Sequence, residues 1–144
     1  MSALEPTPAT LVPICRMTLQ LKPPVFVGAG PAGNRLVIEV EGGVVEGERL
    51  AGEIVGPGAD WLVVGADGTG TVDVRLLVQT GDGASVFVQY LGRMDTNRGF
   101  GAPVSIAPRF ETGDERYSWL NTVQGVGKGA TDGNTIVYDI YELA

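Results

Sequence analysis

Thr71-Val72-Asp73-Val74-Arg75-Leu76-Leu77-Val78-Gln79 runs through Thr80 into the turn Gly81-Asp82-Gly83, and Ala84 to Gly92 follow. Val72, Val74, Leu76 and Val78 alternate with Thr71, Asp73, Arg75, Leu77 and Gln79, the period of two expected of a half-buried strand. Past the turn, Val86, Val88 and Tyr90 fall on one face, and Ser85, Phe87 and Gln89 on the other. Glycine and aspartate in the turn tolerate positive φ, so the two runs form a hairpin. The pattern repeats outward in both directions. Asp67-Gly68 extends the hairpin to a meander of 59–64, 70–79 and 84–92. Cys15, Met17, Leu19 and Leu21 alternate with polar residues, and Leu36, Ile38 and Val40 do the same. Asp132-Gly133 joins a strand near 121–128 to one at 134–143. Residues 113–119, with acidic groups in the first turn, are the best short-helix candidate.

About nine or ten short strands in one domain must protect their edges; closure into a ring does this completely, and a two-sheet sandwich less so. The expected fold is therefore all-β, a small antiparallel β-barrel with at most one short helix. The chain of 144 residues has the length of one domain. Residues 1–12 are expected to be a flexible lead-in and 13–144 the barrel. Gly92 to Pro103 is the one long irregular stretch, the kind of segment that serves as a lid or mobile loop.

Composition narrows the chemistry. There is no histidine, so His-based triads and zinc sites are excluded. The single Cys15 can form neither an internal disulfide nor a thiolate cage, and its place on an apolar strand face marks it as a core residue. The formal net charge is −7 with lysine only at positions 22 and 128, which leaves no basic footprint for nucleic acid or an anionic membrane surface. No apolar run approaches the roughly 18 residues of a spanning helix. The opening residues, with Glu5, Pro6 and Pro8, do not have the pattern of a secretory signal, and the expected compartment is the cytoplasm. Gly28-Ala29-Gly30-Pro31-Ala32-Gly33 matches the dinucleotide-binding glycine pattern. That motif needs a helix to open at the glycines, whereas Asn34 to Val40 alternate as a strand. The glycines are better explained as a tight connection between strands, and no cofactor or metal is expected.

Catalysis would then rest on Asp, Glu, Tyr, Lys or Arg. Asp73 and Arg75 lie two apart and share a face. Tyr90 lies on the next strand, and Asp60-Trp61 begin the preceding one. Asn121 follows the aromatic run Tyr117-Ser118-Trp119-Leu120. If Asp73 and Arg75 point inward, they form a charged patch between aromatic walls. The cleaner apolar face of their strand is Val72, Val74, Leu76 and Val78, so an outward, solvated pair is the other choice. Tryptophans 61 and 119 are better explained as core residues than as site residues.

Taken in order, GGVVEG (42–47), GADW (58–61), DVR (73–75), DGA (82–84), RFET (109–112) and WLN (119–121) resemble the family called domain of unknown function 3237, or UPF0311. The resemblance spans about residues 12 to 143 and implies a barrel similar in kind to lipocalin-like and allene-oxide-cyclase-like barrels. It also implies an inward-facing Asp73–Arg75 pair. Pro103 to Pro108 depart from an aromatic-rich segment common in that family, which implies a different pocket mouth here. The expected function is a cofactor-independent lyase, isomerase or cyclase acting on a small organic molecule. Asp73 would be the acid or base, Arg75 the electrostatic clamp, and Tyr90 or Asp60 a second proton carrier. Arg35, Asp60, Trp61, Trp119 and Asn121 would contact the ligand. A non-catalytic ligand-binding barrel and a structural oligomer-forming protein are the alternatives, with a homodimer or other homo-oligomer as the expected assembly.

Overall fold

In a computed structural model that describes residues 4–144, eight antiparallel strands close into a ring. These are β1 (Leu11–Leu21), β3 (Gly33–Glu46), β5 (Ala59–Val64), β6 (Thr69–Thr80), β7 (Ser85–Asp95), β8 (Val104–Ile106), β10 (Gly125–Asp132) and β11 (Thr135–Leu143). The ring runs β1–β3–β5–β6–β7–β8–β10–β11 and returns to β1 through the pairs Leu11↔Leu143 to Gln20↔Thr135. Two short strands prolong it: β4 (Gly52–Ile54) fits between β3 and β6 below β5, and β9 (Arg109–Glu111) pairs with β7 below β8. The remaining strand, β2 (Val25–Gly30), pairs with β3 as a hairpin across Pro31-Ala32. Gly28 and Gly33, at φ of 92° and 125°, take the backbone conformations that the hairpin needs. The glycine-rich run is thus the strand connection expected of it.

The expected meander is present, with β6 and β7 each a little longer than the alternation suggested. β1 begins at Leu11 because Thr10 already exchanges backbone hydrogen bonds with Ala144. The ordered barrel therefore reaches two residues into the expected 1–12 lead-in, whose residues 1–3 lie outside the described residues. The Gly92–Pro103 stretch also differs from expectation. β7 continues to Asp95, whose carboxylate accepts the Asn97 N–H and starts a single 3₁₀ turn, Thr96–Arg98. Thr96 and Asn97 then donate side-chain hydrogen bonds to the Gly68 and Asp67 carbonyls, which pins this segment to the β5–β6 turn.

One end of the ring is filled and the other is hollow. A 3₁₀ segment, Glu115–Thr122, closes the filled end and inserts Leu120, fully buried, into the hydrophobic core. Asp114 caps this segment by accepting the Arg116 N–H. Asn121 fastens it to β9, accepting the Thr112 N–H at 2.8 Å and donating to the Thr112 carbonyl at 3.0 Å.

Truncating the plug should therefore be costly. Leu120→Ala is expected to lower stability by about 2–5 kcal/mol, measured by urea denaturation.

Candidate active site

At the hollow end, strand parity decides which side chains face inward. Leu19, Leu21, Ile38, Val40, Leu62, Val72, Val74, Val104 and Ile136 form an apolar wall around a cavity of about 350 Å³. Its rim consists of Lys22, Pro23 and Pro24 after β1, Phe100 after the 3₁₀ turn, and Thr131, Gly133 and Asn134 from the β10–β11 turn. Lys22 is paired with Glu39 at 3.1 Å and is the one cation among the described lining residues. Three polar groups reach the interior from the wall: Asp60 on β5, Tyr90 on β7 and Tyr138 on β11. The pairs Asp60↔Val74 and Val74↔Tyr90 place Asp60 and Tyr90 in one row across β5, β6 and β7. Tyr138 approaches from β11, its ring edge-on to Tyr90 with centroids 5.6 Å apart. Gly129, paired with Tyr138 across β10–β11, gives that ring its room. A Cβ at this position would lie 2.6 Å from Tyr138 Cδ1.

Asp60 is held by an exchange of hydrogen bonds within the sheet. Val40 N–H donates to Gly58 C=O, which sets the hydrogen-bond phase between β3 and β5. In that phase, the Trp61 backbone groups face β6, opposite Asp73. Pairing between β5 and β6 nevertheless breaks off after Asp60↔Val74 and resumes at Val63↔Thr71. The Asp73 N–H donates instead to Asp60 Oδ1 at 3.0 Å, and the Trp61 carbonyl accepts from Arg35 Nη1 at 2.7 Å. One backbone bond is thereby replaced by two from side chains, and the carboxyl is anchored where the wall opens.

This environment sets the protonation of the three groups. Burial pushes the Asp60 carboxyl up to about 6, against the opposing pull of the Asp73 N–H and with a smaller upward push from the Asp73 carboxylate. Burial likewise raises Tyr90, with Tyr138 and Asp60 adding to it, and raises Tyr138, where the charge of Asp60 contributes further. Both phenols stay neutral hydrogen-bond donors across the physiological range. Asp60 is the group that changes charge near neutrality.

The structure thus brings Asp60 and Tyr90 together and separates the other candidates from them. Asp73 and Arg75 are not inside the barrel. Val72 and Val74 take the inward parity of β6, which leaves Asp73 half-buried and Arg75 exposed on the outer wall. Trp61 is also outside, 38% exposed, with the Arg75 guanidinium 5.9 Å from its ring centre. Arg35 faces outward and holds a backbone carbonyl. Trp119 lies at the closed end, where Arg49 sits 4.3 Å over its ring and pairs with Glu142 at 2.7 Å. Asn121, at the same end, serves as the tether described above. Sequence reasoning missed Tyr138. Its signal is the inward parity it shares with Ile136 and Ile140 on β11.

Residues 9–143 match the family described as a protein of unknown function, DUF3237. The chain belongs to that family. It is 29% identical over 124 residues to UPF0311 protein RPA1785 of Rhodopseudomonas palustris, covering 77% of this chain and 81% of that one. It is also 30% identical over 123 residues to hydroalkoxylation enzyme phnH of Penicillium herquei, covering 85% and 76%. Among solved structures, a β-barrel-like protein from Acinetobacter baumannii is similar with a TM-score of 0.87 and 32% identity, covering 99% of this chain and 100% of that one. An enzyme from Penicillium herquei is similar with a TM-score of 0.77 and 25% identity, covering 99% and 100%. The barrel is thus a family feature, and one relative that shares it is named as an enzyme.

Two outcomes follow from this geometry. Because Asp73 and Arg75 make no ion pair among the described residues, Asp73→Asn and Arg75→Ala should each cost no more than about 1 kcal/mol in denaturant melts. Asp60 should behave differently. A carboxyl whose folded pKa is raised contributes stability below its unfolded pKa and loses it as pH rises through about 6. From pH 5 to pH 8 the wild type should therefore lose about 1.4 kcal/mol relative to Asp60→Asn.

Proposed function

We propose that the protein is a cofactor-independent acid–base enzyme that adds a hydroxyl group to a carbon–carbon double bond within one small, uncharged organic molecule. The observation that carries this reading is Asp60, a carboxyl titrating near neutrality in an apolar cavity, with two neutral phenols beside it. In this scheme, the Asp60 carboxylate takes the proton from the substrate hydroxyl as the oxygen attacks the alkene. The new O–C bond forms at one alkene carbon as the π bond breaks, and the proton held by Asp60 passes to the other carbon, so the addition is redox-neutral and returns Asp60 to its starting state. Tyr90 and Tyr138 donate hydrogen bonds to the oxygen on which charge develops. The apolar wall favours a largely hydrocarbon substrate. With Lys22 at the rim and engaged by Glu39, no interior cation among the described residues compensates a carboxylate or phosphate. The choice of hydroxyl addition follows the name of the Penicillium herquei relative. The acid–base role rests on this chain's own residues.

The test uses 2-prenylphenol as substrate and chromatographic detection of the cyclic ether. Wild-type protein should form the ether with a rate that rises through about pH 6. Asp60→Asn should lose roughly 10²–10⁴-fold, and Tyr90→Phe or Tyr138→Phe about 5–10-fold, the worth of one neutral hydrogen bond. Asp73→Asn and Arg75→Ala should retain the wild-type rate. Saturable binding without turnover would identify a ligand-binding barrel instead, and full activity in Asp60→Asn would remove the carboxyl from the chemistry.

A further inference from the structure

We propose that Arg35, on the outside of the barrel, is a positioning residue for Asp60: its guanidinium holds the Trp61 carbonyl out of the β5–β6 ladder and so frees the Asp73 N–H to bind the Asp60 carboxyl. This rests on Asp60 being the interior acid, and it adds a residue that never touches the cavity.

The hydrogen-bond phase makes Trp61 C=O and Asp73 N–H the natural partners at this point of the ladder. A carbonyl deprived of its partner in a half-buried sheet needs another donor, and Arg35 supplies one at 2.7 Å. Arg35 reaches it from β3, where the pair Val37↔Trp61 places the two strands side by side. The planar guanidinium presents its N–H groups in a fixed fork, and Arg35 extends it from β3 across the outer face of β5 to this carbonyl. Arg35 makes no ion pair among the described residues, so its role is not that of a surface salt bridge. On the inner side, the Asp73 N–H is the hydrogen-bond donor to Asp60. Without Arg35, the Trp61 carbonyl is free to recapture that N–H and close the ladder. The carboxyl would then face the cavity with only Tyr90, Tyr138 and the outward Asp73 carboxylate as polar neighbours.

The experiment follows the Asp60 side-chain carbon and the Asp73 amide by NMR through a pH titration of the labelled full chain, with no substrate present. In wild type, both signals should titrate together near pH 6. In Arg35→Met, the Asp60 midpoint should rise by roughly one pH unit, a tenfold change in its dissociation constant, and the Asp73 amide should stop following it. Arg35→Lys, which keeps a charged donor, should restore part of the shift. An unchanged midpoint and a still-coupled amide in folded Arg35→Met would overturn the proposal. If that variant does not fold, the wild-type protein decides, because an Asp73 amide indifferent to Asp60 titration overturns it equally. Failure of the proposed enzymatic reaction would leave these signals untouched, so the two ideas fail separately.

Discussion

Closure of the ring makes inside and outside a matter of counting. Successive residues of a strand point to opposite faces, and in a closed sheet those faces are a cavity or packed core on one side and solvent on the other. Every side chain in the site inherits its place from this parity and from the strand register. Asp60 is interior because Leu62 is interior, and Asp73 is exterior because Val72 and Val74 are interior. Asp60, Tyr90 and Tyr138 are the inward positions at which this wall is polar rather than apolar.

Parity also explains what could be learned from the sequence and what could not. The strands, hairpins and ring were legible because alternation and turn glycines are local signals. The inward face of β6 was legible too, since Val72 to Val78 is the cleaner apolar row. The resemblance nevertheless drew attention to the charged pair on the opposite face. Asp73 and Arg75 then looked like a site because a pocket was expected to be polar. The actual pocket is lined by the same residue types as the core below it, so neither its volume nor its wall can be told from packing by composition. Tyr138 was hidden for this reason, an aromatic at a core position between two isoleucines. Arg35 was singled out for its charge, but its partner is a backbone carbonyl, and a broken ladder bond leaves no trace in residue type.

The site sets a charge-bearing group in surroundings that disfavour its charge. A carboxylate stripped of water is stabilised by donors, and the protein supplies a backbone N–H rather than a lysine or arginine. A cation inside would lower the carboxyl and hold it ionised, leaving it a poor proton acceptor near neutrality. The phenols act in the opposite sense, polar but too weakly acidic to compete for the proton. Hydrophobic walls thus tune the acid as well as enclose the cavity.

The seam of the barrel is the pairing of β1 with β11, strands more than a hundred residues apart in sequence. β1 is synthesised early and remains without one of its two neighbours until β11 has left the ribosome. The ring cannot close during most of translation, and Tyr138, carried on β11, is the last polar group to arrive in the cavity. Pairings this distant are slow to form because the loop they close is long. The apolar lining therefore cannot be sealed until the last strand is in place, and the cavity comes into being together with the closed ring.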